Sequence, residues 1–516
     1  MKLKWILFSI FFVGVLVRAQ EMPVAYTLGE KYPDRYKYSN LLTISDDGTG
    51  GTILLRAYYT GLVLQPKGYL VEHYNENLEL VSEYNYKFKG AEFVEGYMKN
   101  GQLYLLFLDY NIEAASYEYW IHRSPITAFN FTQEKLLSFP SAPVNNPLDK
   151  NYYNRRFGRG FTTTTLFTED KNAFIISTHY KKGKNNRHDI YFYNAALNKR
   201  VYQDFSKEVE EKNYAFENIV ASSDLEKVYI VGKAYFKKKR FTALERKFQY
   251  ELIELSEKGT KIQTFDSPGK YSESITPLID RGDVVCVGFY ADRKDNRYNG
   301  LAYFRLDPVT LHLKSKKYNP FSEQFMFDKF GQEDDRQIKN LVFKNVTVTS
   351  NNEILFNAEE YFVTNSMQAN SSGGRLRVER FHHNDIVSAK LSDQGDMLWA
   401  RNINKSEVTQ GDGAYASYSS FTKDGITYFF ISSASENPQL LNNERIIFKQ
   451  GLGRNRNVFV IQLDEAGKMD YKKLIDAKDV RLPLMVSTPL KDKRTNEVLF
   501  YAKRGTKKQL VNIGIQ

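Results

Sequence analysis

Leu484-Met485-Val486-Ser487-Thr488, then Val498-Leu499-Phe500-Tyr501-Ala502, then Gln509-Leu510-Val511-Asn512-Ile513-Gly514-Ile515: these three runs occupy residues 480–516 and decide how the chain reads. Each is a short apolar stretch rich in branched and aromatic residues, which suit a pleated surface. Asp492-Lys493-Arg494 and residues 503–508 separate them as turns. Upstream, the same order recurs with a fourth strand added, so this last unit is one strand short. Val24-Ala25-Tyr26-Thr27-Leu28 belongs to no unit and is the natural donor. An array whose last unit is completed by its first strand is a closed ring, and closure is how β-propellers protect their strand edges.

The repeat itself is a polar turn followed by an apolar strand. The turns are Asp46-Asp47-Gly48, Lys99-Asn100-Gly101, Glu169-Asp170-Lys171, Ser223-Asp224, Asp280-Arg281-Gly282, Asn351-Asn352, Lys423-Asp424-Gly425 and Asp492-Lys493. The strands after them are 53–57, 103–108, 173–177, 228–231, 284–288, 354–358, 427–431 and 498–502. Asn-Gly and Asp-Gly pairs supply the positive φ of a tight hairpin, and a continuous apolar run implies a strand covered on both faces. A third strand follows a variable loop in every unit, as at 68–74, 301–306 and 385–391. Successive turns lie about 53 to 72 residues apart, against roughly 40 to 50 in standard propeller repeats, so the excess is loop. The expectation is all-β: an eight-bladed β-propeller of four-stranded blades, its last blade completed by the N-terminal strand. Two packed β-sandwich domains are the alternative, being built from similar strands and turns.

Residues 1–20 have a basic start (Lys2, Lys4), an apolar stretch from Trp5 to Val17, and Ala19-Gln20 before the first polar residues. This is the pattern of a secretory signal peptide, which leaves 21–516 as a single propeller domain. The sole cysteine, Cys286, rules out intramolecular disulfides and sits in a strand apolar on both faces, where it reads as a small buried hydrophobe. Helix is scarce, the best candidate being 206–212.

The sixth unit, Asp385-Ile386-Val387-Ser388-Ala389-Lys390-Leu391-Ser392-Asp393-Gln394-Gly395-Asp396-Met397-Leu398-Trp399, and a worn copy at 458–468 resemble a bacterial propeller repeat. In that repeat, aspartate, strand, lysine-leucine, glycine turn and tryptophan recur. With the Ala-Gln signal end, the chain resembles exported Bacteroidetes-type β-propeller proteins with degenerate WD40-like or SBBP-like repeats. The resemblance implies export, to the periplasm or outer membrane, and an accessory role in outer-membrane secretion or assembly.

Catalytic signals are thin. The seven histidines (His73, His122, His179, His188, His312, His382, His383) lack the close spacing of a zinc site and read as loop residues. No Gly-x-Ser-x-Gly elbow is present. Arg281-Gly282-Asp283 occupies the common hairpin position, and Glu333-Asp334-Asp335 reads as a solvated acidic turn. No catalytic residue, metal ligand or cofactor is therefore expected.

Charge is more informative. The chain carries a formal net charge of +11. Arg155, Arg156, Arg159, Lys181, Lys182, Lys184, Arg187, Lys237, Lys238, Lys239 and Arg240 fall in loops that a propeller gathers on one face. Such a basic face attracts anions and acidic surfaces. Nucleic acid is a poor partner for an exported protein; another envelope or outer-membrane protein, or anionic lipid head groups, fit better. The functional expectation is a monomeric, non-enzymatic interaction or scaffold protein. An envelope polysaccharide hydrolase or lyase is the alternative.

Overall fold

The computed structural model describes residues 22–59, 66–141, 148, 161–182, 185–237, 246–292, 297–331, 338–369, 374–411, 413–434, 436–441, 445–451 and 456–516. Residues 1–20, read from the sequence as a signal segment, lie outside them. Among the described residues, no helix is long and apolar enough to cross a membrane.

The fold is a β-propeller. Each blade begins with an inner strand and adds three more in antiparallel order. The inner strands of blades one to seven are Ser39–Asp46, Glu92–Lys99, Phe161–Phe167, Lys212–Ala221, Tyr271–Asp280, Leu341–Val348 and Tyr418–Lys423. The second strands are the fully apolar runs of the sequence, and Ile53–Leu55, Leu105–Phe107 and Val284–Val287 are all 0% exposed. A strand sandwiched between neighbouring blades has no solvent face, so alternation disappears. The hairpins at Asn100-Gly101, Arg281-Gly282 and Asp424-Gly425 hold both central residues at positive φ, between 49° and 83°, the two-residue turn that matches strand twist.

The expectation of an eight-bladed propeller of four-stranded blades is corrected by the sheet order: the blade count is seven. Six blades are each laid down by four consecutive strands, and blade seven by four whose second and third are separated in the chain by Gln439–Leu440 and Ile446–Lys449. The remaining sheet is no such blade: it joins Leu490–Asp492, Glu497–Arg504 and Lys507–Ile515 to Val24–Leu28, with Tyr32–Pro33 as a fifth strand from the other end of the chain. Blade six also departs from four strands, growing to seven by taking in Lys405–Thr409, Gln439–Leu440 and Ile446–Lys449. The inner strand of the closing sheet is not 484–488 as the sequence suggested. Leu484 makes only an isolated bridge to Ala502, because Pro483 and Pro489 lack an N–H at either end of the stretch and Thr488 turns back onto the Met485 carbonyl at 3.3 Å.

The closure itself is as the sequence suggested: Val24 opposes Ile515 and Leu28 opposes Val511 in antiparallel register. Behind it a buried network bonds blade one to both chain ends. Arg56, 0% exposed, donates to Asp34 at 2.7 Å and Glu72 at 2.6 Å. Lys503 reaches Asp34, and Lys508 reaches Glu72 and, at 2.9 Å, Glu83. Three cations meet three carboxylates, so the desolvation that makes buried charge costly is matched by partners.

One contact recurs between neighbours. Tyr97, Tyr229, Tyr303 and Trp399 each donate to a carbonyl in the third-to-fourth-strand turn of the next blade: Ala195 (3.1 Å), Pro308 (3.0 Å), Asp393 (3.1 Å) and Glu465 (2.9 Å). Gly395, at φ 84°, and Gly467, at φ 78°, lie flat against the Tyr303 and Trp399 rings, where a Cβ would come within 2.3 and 2.8 Å. The glycine turn and tryptophan of the repeat are thus a blade-to-blade joint.

Two further expectations change. Residues 206–212 form turns that lead into a strand; the longest described helix is Glu323–Phe330, capped by Ser322 and Gly331 and tied to blade six by Asp328 and Arg401. Six of the seven histidines sit in strands rather than loops, and His122, His188 and His383 are buried.

Candidate functional site

Blade six carries the most unusual surface. Its second and third strands, Ile354–Ala369 and Arg375–Leu391, are 16 and 17 residues long, about twice the length of their neighbours. The inner strand stops pairing at Glu360, so the hairpin runs on as an arm, Tyr361 opposite His383 out to Ala369 opposite Arg375. Cross-strand pairs hold it: Phe362 stacks on His382 with centroids 4.4 Å apart, Arg380 donates to Ser366 at 2.8 Å, and Arg377 to Asn365 at 3.0 Å. Val363 and Met367, on one face, are 40% and 62% exposed.

At the base of the arm a polar knot fixes its direction. Glu359, 0% exposed, accepts from Ser417 at 2.8 Å and lies 3.1 Å from His383 and 3.2 Å from Lys405, which also bonds Glu407 at 2.8 Å. Burial raises the Glu359 carboxyl, but the His383 bond and the Lys405 and Lys344 charges outweigh it and hold the group at about 2.

The central channel is the second feature. It has a volume of about 1300 Å³ and is walled by the inner strands of blades one to six and of the closing sheet. Its charges are mixed, with Lys99, Lys171, Lys344, Lys491, Lys493 and Arg494 against Asp46, Glu169, Asp170, Glu217 and Asp492. Several are tied across blades, as Lys99 to Asn172 (2.7 Å) and Lys171 to Glu95 (3.0 Å).

One carboxylate near this wall is out of place. Five inner strands carry a β-bulge at the same level, and the residue before it is Leu41, Phe93, Phe216, Glu273 and Phe343 in blades one, two, four, five and six. Four are large hydrophobes; the fifth is Glu273, 2% exposed. Burial lifts its carboxyl to about 7, which Arg246, 2.9 Å away, offsets only in part. Nε and Nη1 of Arg246 and Oγ of Ser272 are buried without a hydrogen-bond partner among the described residues. Glu217 opens onto the channel, accepting from Tyr250 at 2.9 Å with Lys233 at 3.3 Å. An acid of raised pKa near a cleft is a physical marker of a functional site.

The basic residues fare unevenly. Arg155, Arg156, Arg159, Lys184, Lys238, Lys239 and Arg240 lie outside the described residues, as do the side chains of Lys181 and Lys182. Arg187 and Lys237 are at corresponding ends of adjacent blades three and four, but each is engaged: Arg187 with Asp189 (2.7 Å) and Tyr202 (3.2 Å), Lys237 with the Glu210 carbonyl (3.3 Å). Glu333-Asp334-Asp335 also lies outside. Arg281 and Asp283 pair within and between blades, with Asp393 (3.3 Å) and Lys314 (2.6 Å). Cys286 is fully buried, which pushes its thiol up. No group of three His, Cys, Asp or Glu among the described residues suits a metal ion. Sequence reasoning missed both the arm and Glu273.

No protein-family model matches the chain, and no curated protein matches it in sequence. Among solved structures it is similar to BamB from Moraxella catarrhalis, at 9% identity over 94% of this chain and 99% of that one, with a TM-score of 0.38. It is similar to the polysaccharide lyase Uly1, at 12% identity over 92% and 90%, TM-score 0.38. It also matches the β-propeller domain of the Trilobed protease from Pyrococcus furiosus, at 9% identity over 86% and 98%, TM-score 0.35. The propeller assignment rests on the sheets described above.

Proposed function

We propose that this chain is a non-enzymatic interaction protein of the cell envelope, periplasmic or outer-membrane-associated, which binds another envelope protein during outer-membrane secretion or assembly. The observation that carries the reading is the blade-six arm: a rigidly footed hairpin that leaves the ring and presents exposed Val363 and Met367 beside arginines. Apolar side chains held away from a core are a mark of a binding surface. The basic loops around Lys237 supply a second, salt-sensitive contact. The test is capture from envelope extracts by the full chain and by a variant whose residues 364–380 are replaced with Asn-Gly, which spares His383 and the pairing of 381–383 with 407–409. The same partner should be captured only by the full chain, with both proteins melting at similar temperature. Equal capture by both would remove the arm from the function.

A second reading, an envelope polysaccharide hydrolase or lyase, draws on Glu273 and Glu217. A buried acid whose pKa is raised by burial, near a second carboxylate that opens onto the channel, suits acid–base work on a glycosidic bond. Turnover of a glycan that is lost in Glu273→Gln would favour it over the scaffold.

A further inference from the structure

We propose that the outer edge of the arm, residues 361–369, takes up an extended acidic segment of the partner as an added β-strand; this rests on the arm being the partner-binding element. The last bond toward that side is made by the Tyr361 N–H, which donates to the Asn340 carbonyl at 2.9 Å. The two-residue period of a strand then turns the N–H and C=O of Val363, Asn365 and Met367 the same way, and no described strand meets them. An open row of donors and acceptors is a template for another strand, and proteins ordinarily blunt such edges with lysine, proline or a bulge. Here nothing is blunted. Tyr361-Phe362-Val363-Thr364-Asn365-Ser366-Met367-Gln368-Ala369 contains no charge, no proline and no glycine, and its register with the third strand is unbroken from Tyr361 to Ala369.

The chemistry of the occupant follows from the other strand. Arg375, Arg377 and Arg380 against Glu379 leave the arm with a net charge of +2 (3 − 1). A second copy would bring like charge to like charge, whereas an acidic chain is attracted. Val363 and Met367 lie on one face with Asn365 between them and Arg377 opposite Met367, whereas Arg380 stands opposite Thr364 on the other face; an added strand that places small apolar residues beside Val363 and Met367 therefore brings its acids to the Arg380 face. Main-chain bonds would give affinity and the alternating side chains specificity, as in other strand-addition complexes.

The probe is a fluorescent nine-residue peptide alternating valine with glutamate, titrated against the full chain by anisotropy. A version with lysine for glutamate, and one with alternate amides N-methylated, serve as controls. The acidic peptide should bind; the two controls should bind at least tenfold more weakly. Met367→Pro removes an outward N–H without touching the hairpin ladder and should weaken the acidic peptide at least tenfold, while Met367→Ala should change it less than threefold. Failure of the acidic peptide to bind, equal binding of the lysine peptide, or indifference to Met367→Pro would each overturn strand addition. Dimerisation of the free chain that Met367→Pro abolishes would assign the edge to a second copy and overturn the acidic partner. If strand addition fails while the arm-replaced variant still loses its partner, the arm reading stands alone; if capture survives arm replacement, both fall.

Discussion

Replacing Glu273 with glutamine should change the pH dependence of stability more than stability itself. The folded carboxyl titrates near 7 against 4.5 in the unfolded chain. Between these values the native state keeps a proton that the unfolded chain has released, so stability falls as pH rises through the window and the full cost is present above about 7. At about 1.4 kcal/mol per pH unit, that cost is about 3 kcal/mol. Glutamine mimics the protonated acid, so at pH 5 the two proteins should melt alike. By pH 8.5 the variant should be the more stable by about 3 kcal/mol, which for a chain of this size is about 3 °C in Tm. Arg246 loses an ion-pair partner at high pH but keeps Asp266 at 3.8 Å. The assay is thermal unfolding of both proteins at half-unit steps from pH 5 to 8.5. Parallel curves would refute the argument that Glu273 is a buried acid in a hydrophobe's position.

Glu359→Gln should behave in the opposite sense: its carboxyl is held at about 2 against 4.5 unfolded, so the native protein should lose about 3 kcal/mol near neutrality, and the difference should close as pH falls through about 2. Removing residues 22–28 takes away the buried side chains of Met22 and Val24, both 6% exposed, and unpairs 511–515; at about 1.5 to 3 kcal/mol per side chain, Tm should drop by at least about 3 °C in a calorimeter. Gly395→Ala drives a Cβ to 2.3 Å from the Tyr303 ring at φ 84°, whereas Gly101→Ala, at φ 70°, meets nothing within 4 Å. The second should cost about 1 kcal/mol in urea unfolding and the first clearly more.

The second strands were legible because burial between blades removes every polar residue, as at Val284–Val287, and the closure because Val24–Leu28 had no partner in its own neighbourhood. The arm was not legible. Thr364, Asn365, Ser366 and Gln368 give no apolar alternation, and its strands are held by cross-strand pairs that a linear reading cannot see. Glu273 looks ordinary in sequence; only the shared bulge aligns it with Phe93, Phe216 and Phe343. The blade count erred because each of the eight turn-and-strand pairs reads as a blade, although the last belongs to a closing sheet whose own first strand, Leu490–Asp492, is only three residues long. The engagement of Arg187 and Lys237 by nearby acceptors was likewise hidden, since charge counts ignore local partners.

The pairing of 24–28 with 511–515 also imposes an order on biosynthesis. The two strands are made about 480 to 490 residues apart, which at 5 to 20 residues per second is roughly 25 to 100 s of translation. Each of the seven blades has all its strands within reach as it emerges, but the seam does not, and its amino-terminal half stays an unclaimed strand for that interval. A chain broken off before 503 leaves that strand unclaimed for good, with the Asp34 and Glu72 carboxylates stripped of Lys503 and Lys508. The seam therefore doubles as a length gauge: a truncated product advertises itself to proteases and holdases by the one joint that only a chain reaching residue 515 can make.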